Sequence, residues 1–426
     1  MNKFQKALAS ALATGALLVN TVLPVFATTT IQISGNGTNS DNTSNVSFTQ
    51  STTVVQSNVA NVVNDVDTDA DTGDNDANDN TGGEVSIETG DADVDVKVNN
   101  TLNSNSAEVD CCVGGDTEVL ISGNGSGTNN DADVTLGSSI EVFQNNYANV
   151  YNDVDADADT GDNDAKDNTG GDVSIKTGDA HTGVTLATTA NANSARVGGG
   201  NGSGGSLSVR ILDNGTNSDN TINLTLGDML AIVQGNVADV ENDVDADSDT
   251  GDNDAEDNTG GEVSIETGDA DTDVSIDNEV NFNWADADCG CLLEDLLAKI
   301  ADNGSDTNND INATLGSLLS VFQGNCAGGQ GLPVSLEHEE DGDCGLNNDV
   351  DADSDTGDND ANDNGGDSDG DPSIVTGDAE NNIEIENSGN SNVYGAASDW
   401  ELPEWDFNFN FSFDLSDLLD WLSDHS

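Results

Sequence analysis

Hydrophobic and polar residues alternate strictly through an acidic stretch that recurs along the chain. Residues 153–160 read Asp-Val-Asp-Ala-Asp-Ala-Asp-Thr, and residues 270–284 keep the same period of two over a longer run. A period of two places successive side chains on opposite faces of a β-strand. The pattern therefore predicts strands that carry aspartates on one face and small residues on the other.

Turn residues separate these runs, as in Thr-Gly-Asp and Asn-Thr-Gly-Gly. The residues on the inward face are mostly Ala, Val, Thr and Asn, so the interior that they can fill is thin. Thin interiors with repeated turns favour an all-β, repetitive β-solenoid that resembles a parallel β-helix, in which each coil is buried against its neighbours. The alternative is a chain of tandem β-sandwich modules, one for each repeat.

Four copies of one unit fill most of the chain. The acidic stretch 64–77 recurs around Gly161, Gly251 and Gly357. We expect repeats at 28–110, 111–198, 199–288 and 289–398, the last with an insertion at 327–343. The Gly-rich run 198–205 is expected to link the second and third repeats.

Two segments depart from the strand pattern. Leu292 to Ala301 is expected to form a helix. In the C-terminal segment 399–426, residues 407–413 alternate Phe with polar residues and predict an aromatic strand, and the leucines that follow have helical spacing. This segment is expected either to cap the open end of the solenoid or to dock on a partner or a second copy.

The N terminus has the pattern of a secretory signal peptide. A short basic start, an apolar stretch and the sequence Val25-Phe26-Ala27 predict a leader at 1–27 that is removed on export. The alternative is a retained membrane anchor, which the polar residues of the stretch and Pro24 disfavour. We expect the mature protein to be extracellular or on the cell surface, without a membrane span.

Export makes the six cysteines candidates for disulfides. Cys326 and Cys344 bracket the insertion, and a disulfide between them would close it. Cys111, Cys112, Cys289 and Cys291 lie in two equivalent linkers, and their pairing stays open.

Composition limits the possible partners. The chain has 83 acidic and 8 basic residues, a net charge of −75. Nucleic acids and anionic membranes are poor partners for such a surface, because both require clustered Lys and Arg. Histidines are few and unrepeated, and no catalytic constellation stands out, so we expect no enzyme activity.

The repeated aspartates are the candidate metal ligands. Calcium takes 6 to 8 oxygen ligands and is the cation that we expect to neutralise them. Residues in the turns are better placed than residues along one strand, which lie about 7 Å apart on the same face. The predicted ligands are Asp67, Asp69, Asp71, Asp74, Asp76, Asp155, Asp157, Asp159, Asp162, Asp164, Asp245, Asp247, Asp249, Asp252, Asp254, Asp351, Asp353, Asp355, Asp358 and Asp360.

The run Asp-x-Asp-x-Asp-x-Gly-Asp-x-Asp, residues 67–76 in the first copy, resembles the calcium-binding aspartate repeats of thrombospondin type 3 and the acidic repeats of RTX adhesins. It lacks the cysteines of the former and the glycine-rich nonapeptide of the latter. The resemblance implies calcium ligation by alternating aspartates and folding after export. The alternative is a solvated acidic face that binds no metal.

These observations predict a secreted or cell-surface repeat protein with a structural or adhesive role, stabilised by calcium and disulfides. Its expected partner is a cell-surface polymer or protein, or a second copy that binds through the C-terminal aromatic segment. The alternative is an extracellular solenoid that binds ice or a polysaccharide.

Overall fold

The regular structure of the described residues is entirely β. The computed structural model describes residues 17–21, 29–109, 116–198, 205–288, 293–326, 345–365 and 372–395. The strands are β1 (Leu17–Thr21), β2 (Thr29–Ser34), β3 (Asp41–Asp71), β4 (Val85–Glu88), β5 (Ala92–Val109), β6 (Thr117–Ser122), β7 (Asn129–Asp159), β8 (Val173–Lys176), β9 (Ala180–Gly198), β10 (Gly205–Leu212), β11 (Asp219–Asp249), β12 (Val263–Glu266), β13 (Ala270–Asp288), β14 (Leu293–Ala301), β15 (Asn308–Cys326), β16 (Leu346–Asp355), β17 (Ser373–Val375) and β18 (Ala379–Tyr394). No helix that could cross a bilayer occurs among these residues.

Equivalent strands of successive repeats lie side by side in four parallel sheets. The long sheet contains β3, β7, β11 and β15 with β16, and a second sheet contains β5, β9, β13 and β18, with β1 beside β5. A third sheet contains β2, β6, β10 and β14, and a fourth contains β4, β8, β12 and β17. Each repeat is thus one turn of chain, called here coils 1 to 4. This stacking is compatible with the predicted β-solenoid and differs from separate sandwich modules.

The core is one thin layer between the long sheet and the sheets that face it. Val154 and Ala156 of β7 pack in one cluster with Ala180 and Leu186 of β9. The β6 strand packs in the same way against the first part of β7. Along the acidic stretch the inward residues are buried and the aspartates face outward, which confirms the predicted alternation.

The prediction of a helix at Leu292 to Ala301 is wrong. Leu293–Ala301 is strand β14, which pairs in parallel with β10. Leu296, Ala298 and Ile300 align with the buried Leu207, Val209 and Ile211. Pairing with the neighbouring coil therefore overrides a local composition that favours a helix.

The predicted insertion interrupts one long strand. Cys326 aligns with Val237 of β11, and Leu346 aligns with Val240. Only two residues of β11 lie between Val237 and Val240. The chain therefore leaves the long sheet after Cys326 and rejoins it almost where it left. Residues 327–344, the other four cysteines and the C-terminal segment with its predicted aromatic strand and helix lie outside the described residues. The predicted Cys326–Cys344 disulfide therefore stays a prediction.

Buried amide side chains form ladders that run from coil to coil. The Nε2 atom of Gln144 donates to Gln56 Oε1 at 2.7 Å, and Gln234 and Gln323 continue this ladder at 2.8 and 2.7 Å. In another ladder Asn130 Nδ2 donates to Asn220 Oδ1 at 2.9 Å. Stacked identical amides satisfy one another when strands are parallel and in register. The ladders explain how a core this thin holds so many polar side chains with most of them hydrogen-bonded, although a few buried atoms, such as Asn103 Oδ1 and Asn278 Oδ1, have no partner among the described residues.

Close stacking of the coils also requires glycine in the Thr-Gly-Asp turn that follows the long strand, residues 160–162 in coil 2. A Cβ atom added at Gly161 would lie 2.1 Å from the carbonyl oxygen of Gly251 in the next coil. At Gly357, in coil 4, the nearest atom would be Oδ1 of Asp355, at 3.1 Å. Neither glycine has a positive φ, so the requirement comes from the neighbouring coil and not from the backbone conformation.

We expect Gly161→Ala to lower the free energy of unfolding by about 2–3 kcal/mol, because the methyl group would force the coils apart. At a protein concentration where the chain is monomeric, Gly357→Ala is the matched control and should change the free energy of unfolding by less than about 0.5 kcal/mol. Urea unfolding followed by far-UV circular dichroism measures both. Equal losses for the two variants would show that the turn, and not the stacking, requires glycine.

Candidate metal centre

In-register pairing places equivalent aspartates of the four coils in columns. Along the long sheet the columns are Asp65, Asp153, Asp243 and Asp349; Asp67, Asp155, Asp245 and Asp351; Asp69, Asp157, Asp247 and Asp353; and Asp71, Asp159, Asp249 and Asp355. Adjacent strands are about 4.8 Å apart. Two unit charges about 5 Å apart repel by roughly 0.8 kcal/mol in water and about 3 kcal/mol at an effective dielectric of 20. Each column therefore opposes the stacking unless it is neutralised.

The turn that follows continues the columns. Asp76, Asp164, Asp254 and Asp360 are joined by parallel bridges between coils. The aspartate two residues earlier in each coil has a positive φ; these residues are Asp74, Asp162, Asp252 and Asp358, with φ values of 54°, 54°, 53° and 47°. Aspartate tolerates this left-handed conformation better than most residues. The predicted turn ligands are therefore brought together between coils.

The last aspartate of each long strand also shapes the turn. Oδ1 of Asp159 accepts a hydrogen bond from the Gly161 backbone N–H at 2.6 Å, and Asp249 does the same with Gly251 at 2.5 Å. This bond uses one carboxylate oxygen and leaves the other for a ligand.

Several of these carboxyl groups are poorly solvated. Half-burial raises the pKa of Asp159, Asp247 and Asp249 to about 6, with neighbouring aspartates raising each pKa further. Burial also raises the pKa of Asp162 and Asp252, and the carboxylates around them act in the same direction. Burial and like charge together penalise the ionised form. The acidic face is thus electrostatically strained in coils 2 and 3.

One column already contains a cation. Lys166 Nζ lies 2.8 Å from Asp164 Oδ1 and 2.7 Å from Asp254 Oδ2, and so bridges coils 2 and 3. These two carboxylates hold the pKa of Lys166 above its usual value. The equivalent residues in the other coils are Asn78, Glu256 and Asn362. The ammonium group shows that a positive charge fits between the stacked carboxylates.

One coil higher, glutamate takes the place of this lysine. Carboxylate oxygens of Asp254, Glu256 and Asp360 lie within 4.8 Å of one another. Oxygens that ligate one calcium ion at about 2.3–2.6 Å can be at most about 5 Å apart, so the three carboxylates fit one ion. They supply only part of the 6 to 8 oxygens that calcium takes, and water would complete the shell.

Sequence reasoning named Asp254 and Asp360 but missed Glu256. The signal was present in the sequence, because Lys166 and Glu256 occupy the same repeat position with opposite charges. The predicted strand ligands, among them Asp67, Asp155 and Asp245, lie in outward columns, where the acids that approach one another belong to different coils.

The raised pKa values predict an unusual dependence of stability on pH. Without metal and at low salt, the free energy of unfolding should rise as pH falls from 7 towards 4, because Asp159, Asp247 and Asp249 bind protons more tightly when folded (pKa about 6) than when unfolded (about 3.8). In calcium the trend should reverse, since protonation displaces the ion. Urea unfolding across this pH range tests both. Replacing the three residues with Asn should flatten the rise in EDTA, and a metal-free protein that loses stability on acidification would contradict the assignment.

Glu256→Gln should weaken calcium binding at the carboxylate triad by roughly tenfold, about 1.4 kcal/mol. Glu262→Gln is the matched control, because it removes an exposed acid of the same coil outside the triad. Isothermal titration with calcium measures the affinity. Equal effects of the two variants would mean that only overall charge matters.

Lys166→Asn should add a calcium site, because it leaves Asp164 and Asp254 without their ammonium group and asparagine is the natural residue in two other coils. The number of bound ions should rise by one, and metal-free stability should fall. An unchanged ion count would show that this column does not bind calcium.

No family model matches the chain, and neither the curated proteins nor the solved structures include a match.

Proposed function

We propose that the protein is a secreted or cell-surface repeat protein with a structural or adhesive role, without catalysis, whose coils are held together by calcium. The observation that supports it most is the stacking of equivalent acids from all four coils, which leaves Asp254, Glu256 and Asp360 with oxygens within 4.8 Å. Calcium between coils would offset the repulsion that the stacking creates.

The predicted export of the protein supports this use of calcium. The predicted leader sends the chain to a compartment where calcium is abundant and disulfides form. A chain of net charge −75 would remain extended before it meets the ion. Calcium would then couple folding to export, and a Cys326–Cys344 disulfide would close the insertion.

An exposed apolar strip supports adhesion. Val55, Val59 and Val63 are exposed on the outer face of β3, beside the acidic columns. In register with them in coil 2 are Phe143, Tyr147 and Tyr151. On each strand polar residues such as Ser57 and Asn145 stand between them. Apolar and aromatic residues grouped on an outer face are typical of surfaces that bind another protein or a surface polymer.

Binding of ice or a polysaccharide by flat threonine rows has weaker support. Thr135, Thr225 and Thr314 form one outward column. The neighbouring column contains Asp133 and Asn223 instead of a second threonine row. We therefore keep the structural or adhesive role.

The test is far-UV circular dichroism with light scattering on the exported chain, in EDTA at low salt and then in millimolar calcium. We expect calcium to produce or stabilise the β structure more than magnesium or sodium chloride at equal ionic strength. Each site should contribute about 2.7 kcal/mol at a calcium concentration of 100 Kd. Unchanged β content and melting temperature in EDTA and calcium would contradict the proposal and leave a solvated acidic face.

A further inference from the structure

The edge of coil 4 exposes a row of residues that the other coils bury. Ile222 and Leu226 in coil 3 are 0% and 6% exposed, whereas the equivalent Ile311 and Leu315 in coil 4 are 47% and 63% exposed. Ile374 of β17 differs in the same way from Ile265 of β12. These side chains belong to the inner row of the solenoid, and they are exposed because no described coil lies above them.

The same edge presents unpaired backbone. In the part of the chain that the structure describes, β15, β16, β17 and β18 are each paired on one side only, with coil 3. A free strand edge of this kind is a template for another strand. The edge of coil 1 that faces away from coil 2 is its counterpart. We call these the upper edge and the lower edge.

Continuity with the junctions inside the chain suggests what fits the upper edge. The β3–β7, β7–β11 and β11–β15 pairs align equivalent residues throughout. Every coil thus presents one pattern to the coil above and a second, complementary pattern to the coil below. The upper edge of coil 4 and the lower edge of coil 1 are the unused halves of this same junction.

The direction of the hydrogen bonds between coils favours contact between unlike edges. The backbone N–H of Asn75 donates to Asn163 Oδ1 at 3.2 Å, and that of Asn253 donates to Asn359 Oδ1 at 3.2 Å. A backbone N–H can only donate, so the column runs from donor below to acceptor above. An upper edge on a lower edge continues this column with donors on acceptors, and it also continues the glutamine ladder, in which the donor is in the higher coil.

We propose that the upper edge of coil 4 binds the lower edge of coil 1 of a second copy of the chain. The two surfaces differ, so each added copy leaves a new upper edge free. A contact of this type does not close on itself and produces a filament. The proposal does not depend on calcium, because salt also screens the acidic columns that would continue across the contact.

Strand β1 lies on the lower edge. Leu17–Thr21 pairs with Asn105–Val109 of β5, on the side away from β9. It falls inside the predicted leader, so its removal on export would clear this part of the edge. The chain for the experiment is therefore produced by export, and mass spectrometry defines its N terminus.

Glycine columns supply variants that block one edge and leave the fold intact. The Gly251 Cβ position is 2.2 Å from Gly357 O, so a methyl group at Gly357 would meet the next copy in the same way. The Gly178 Cβ position is 2.4 Å from Gly90 O, whereas a Cβ atom at Gly90 meets nothing within 4 Å. Gly357→Ala therefore blocks the upper edge, and Gly90→Ala blocks the lower edge.

Gly316→Ala is the matched control. Gly316 lies in coil 4, and a Cβ atom there meets nothing within 4 Å. Its equivalent Gly227 also meets nothing, although coil 4 lies above it. A methyl group at this position is therefore compatible with a stacked neighbour.

Sedimentation velocity and electron microscopy, in 0.5 M sodium chloride with EDTA and in millimolar calcium, provide the test. We expect filaments of the unaltered chain and of Gly316→Ala in at least one condition, with an axial repeat of about 19 Å from four strands about 4.8 Å apart. Gly357→Ala and Gly90→Ala should each be monomeric alone. Their equimolar mixture should form a dimer and stop, because one intact upper edge meets one intact lower edge.

Three results would overturn the proposal. The unaltered chain could stay monomeric in both conditions, which would mean that something other than a second copy covers the upper edge. Gly90→Ala could dimerise alone, which would indicate contact between two upper edges. Gly316→Ala could abolish assembly as completely as Gly357→Ala, which would place the contact outside the predicted junction. Circular dichroism of each variant confirms that its β content is unchanged.

Discussion

In-register parallel stacking of equivalent residues, about 4.8 Å apart, is the constraint on which the rest of the structure depends. Each position must tolerate a close copy of itself above and below. Buried amides meet this condition by donating to one another, as in the Gln56–Gln144–Gln234 ladder. Glycine meets it where backbones touch, as at Gly161 and Gly251. The low aromatic content follows from the same geometry, because a thin layer has little room for large side chains.

The same constraint makes the acidic face costly. Repetition places aspartate over aspartate, and half-burial raises the pKa of Asp159 and Asp249 to about 6. An uncompensated row of this kind opposes the stacking of the amides and the apolar residues beneath it. Lys166 offsets the repulsion in one place by bridging two coils. A divalent ion would do the same wherever no lysine is present, which makes the strength of the coil junctions depend on the surrounding solution.

The alternation of residues 153–160 predicts strands and a thin interior, because period and side-chain size are local properties, and the stacked parallel sheets are compatible with the solenoid that the repeats predict. The assignment of Leu292 to Ala301 to a helix was wrong, because Leu, Ala and Lys favour a helix locally and pairing with β10 is a property of the whole stack. Glu256 was missed for a related reason. The exchange of Lys166 for Glu256 is visible in the sequence, but Asp254 and Asp360 come from two coils, and the convergence of the three carboxylates depends on the register between coils. The acids within one repeat were visible from the sequence, and the acids between repeats were not.

Stacking with a fixed polarity also means that the two ends of the array differ. Each amide column has its own fixed direction, from donor below to acceptor above at Asn75 and Asn253 and from donor above to acceptor below in the glutamine ladder. Each glycine column likewise approaches either the coil above, as at Gly161, or the coil below, as at Gly178. The two ends therefore present different sets of donors, acceptors and glycine contacts, and the contact that continues these columns joins unlike ends. If copies stack as proposed, the addition of copies ends only where a chemically different segment or partner covers the last coil. The number of stacked coils is then set by what meets the exposed Ile311 and Leu315, and not by the repeat itself.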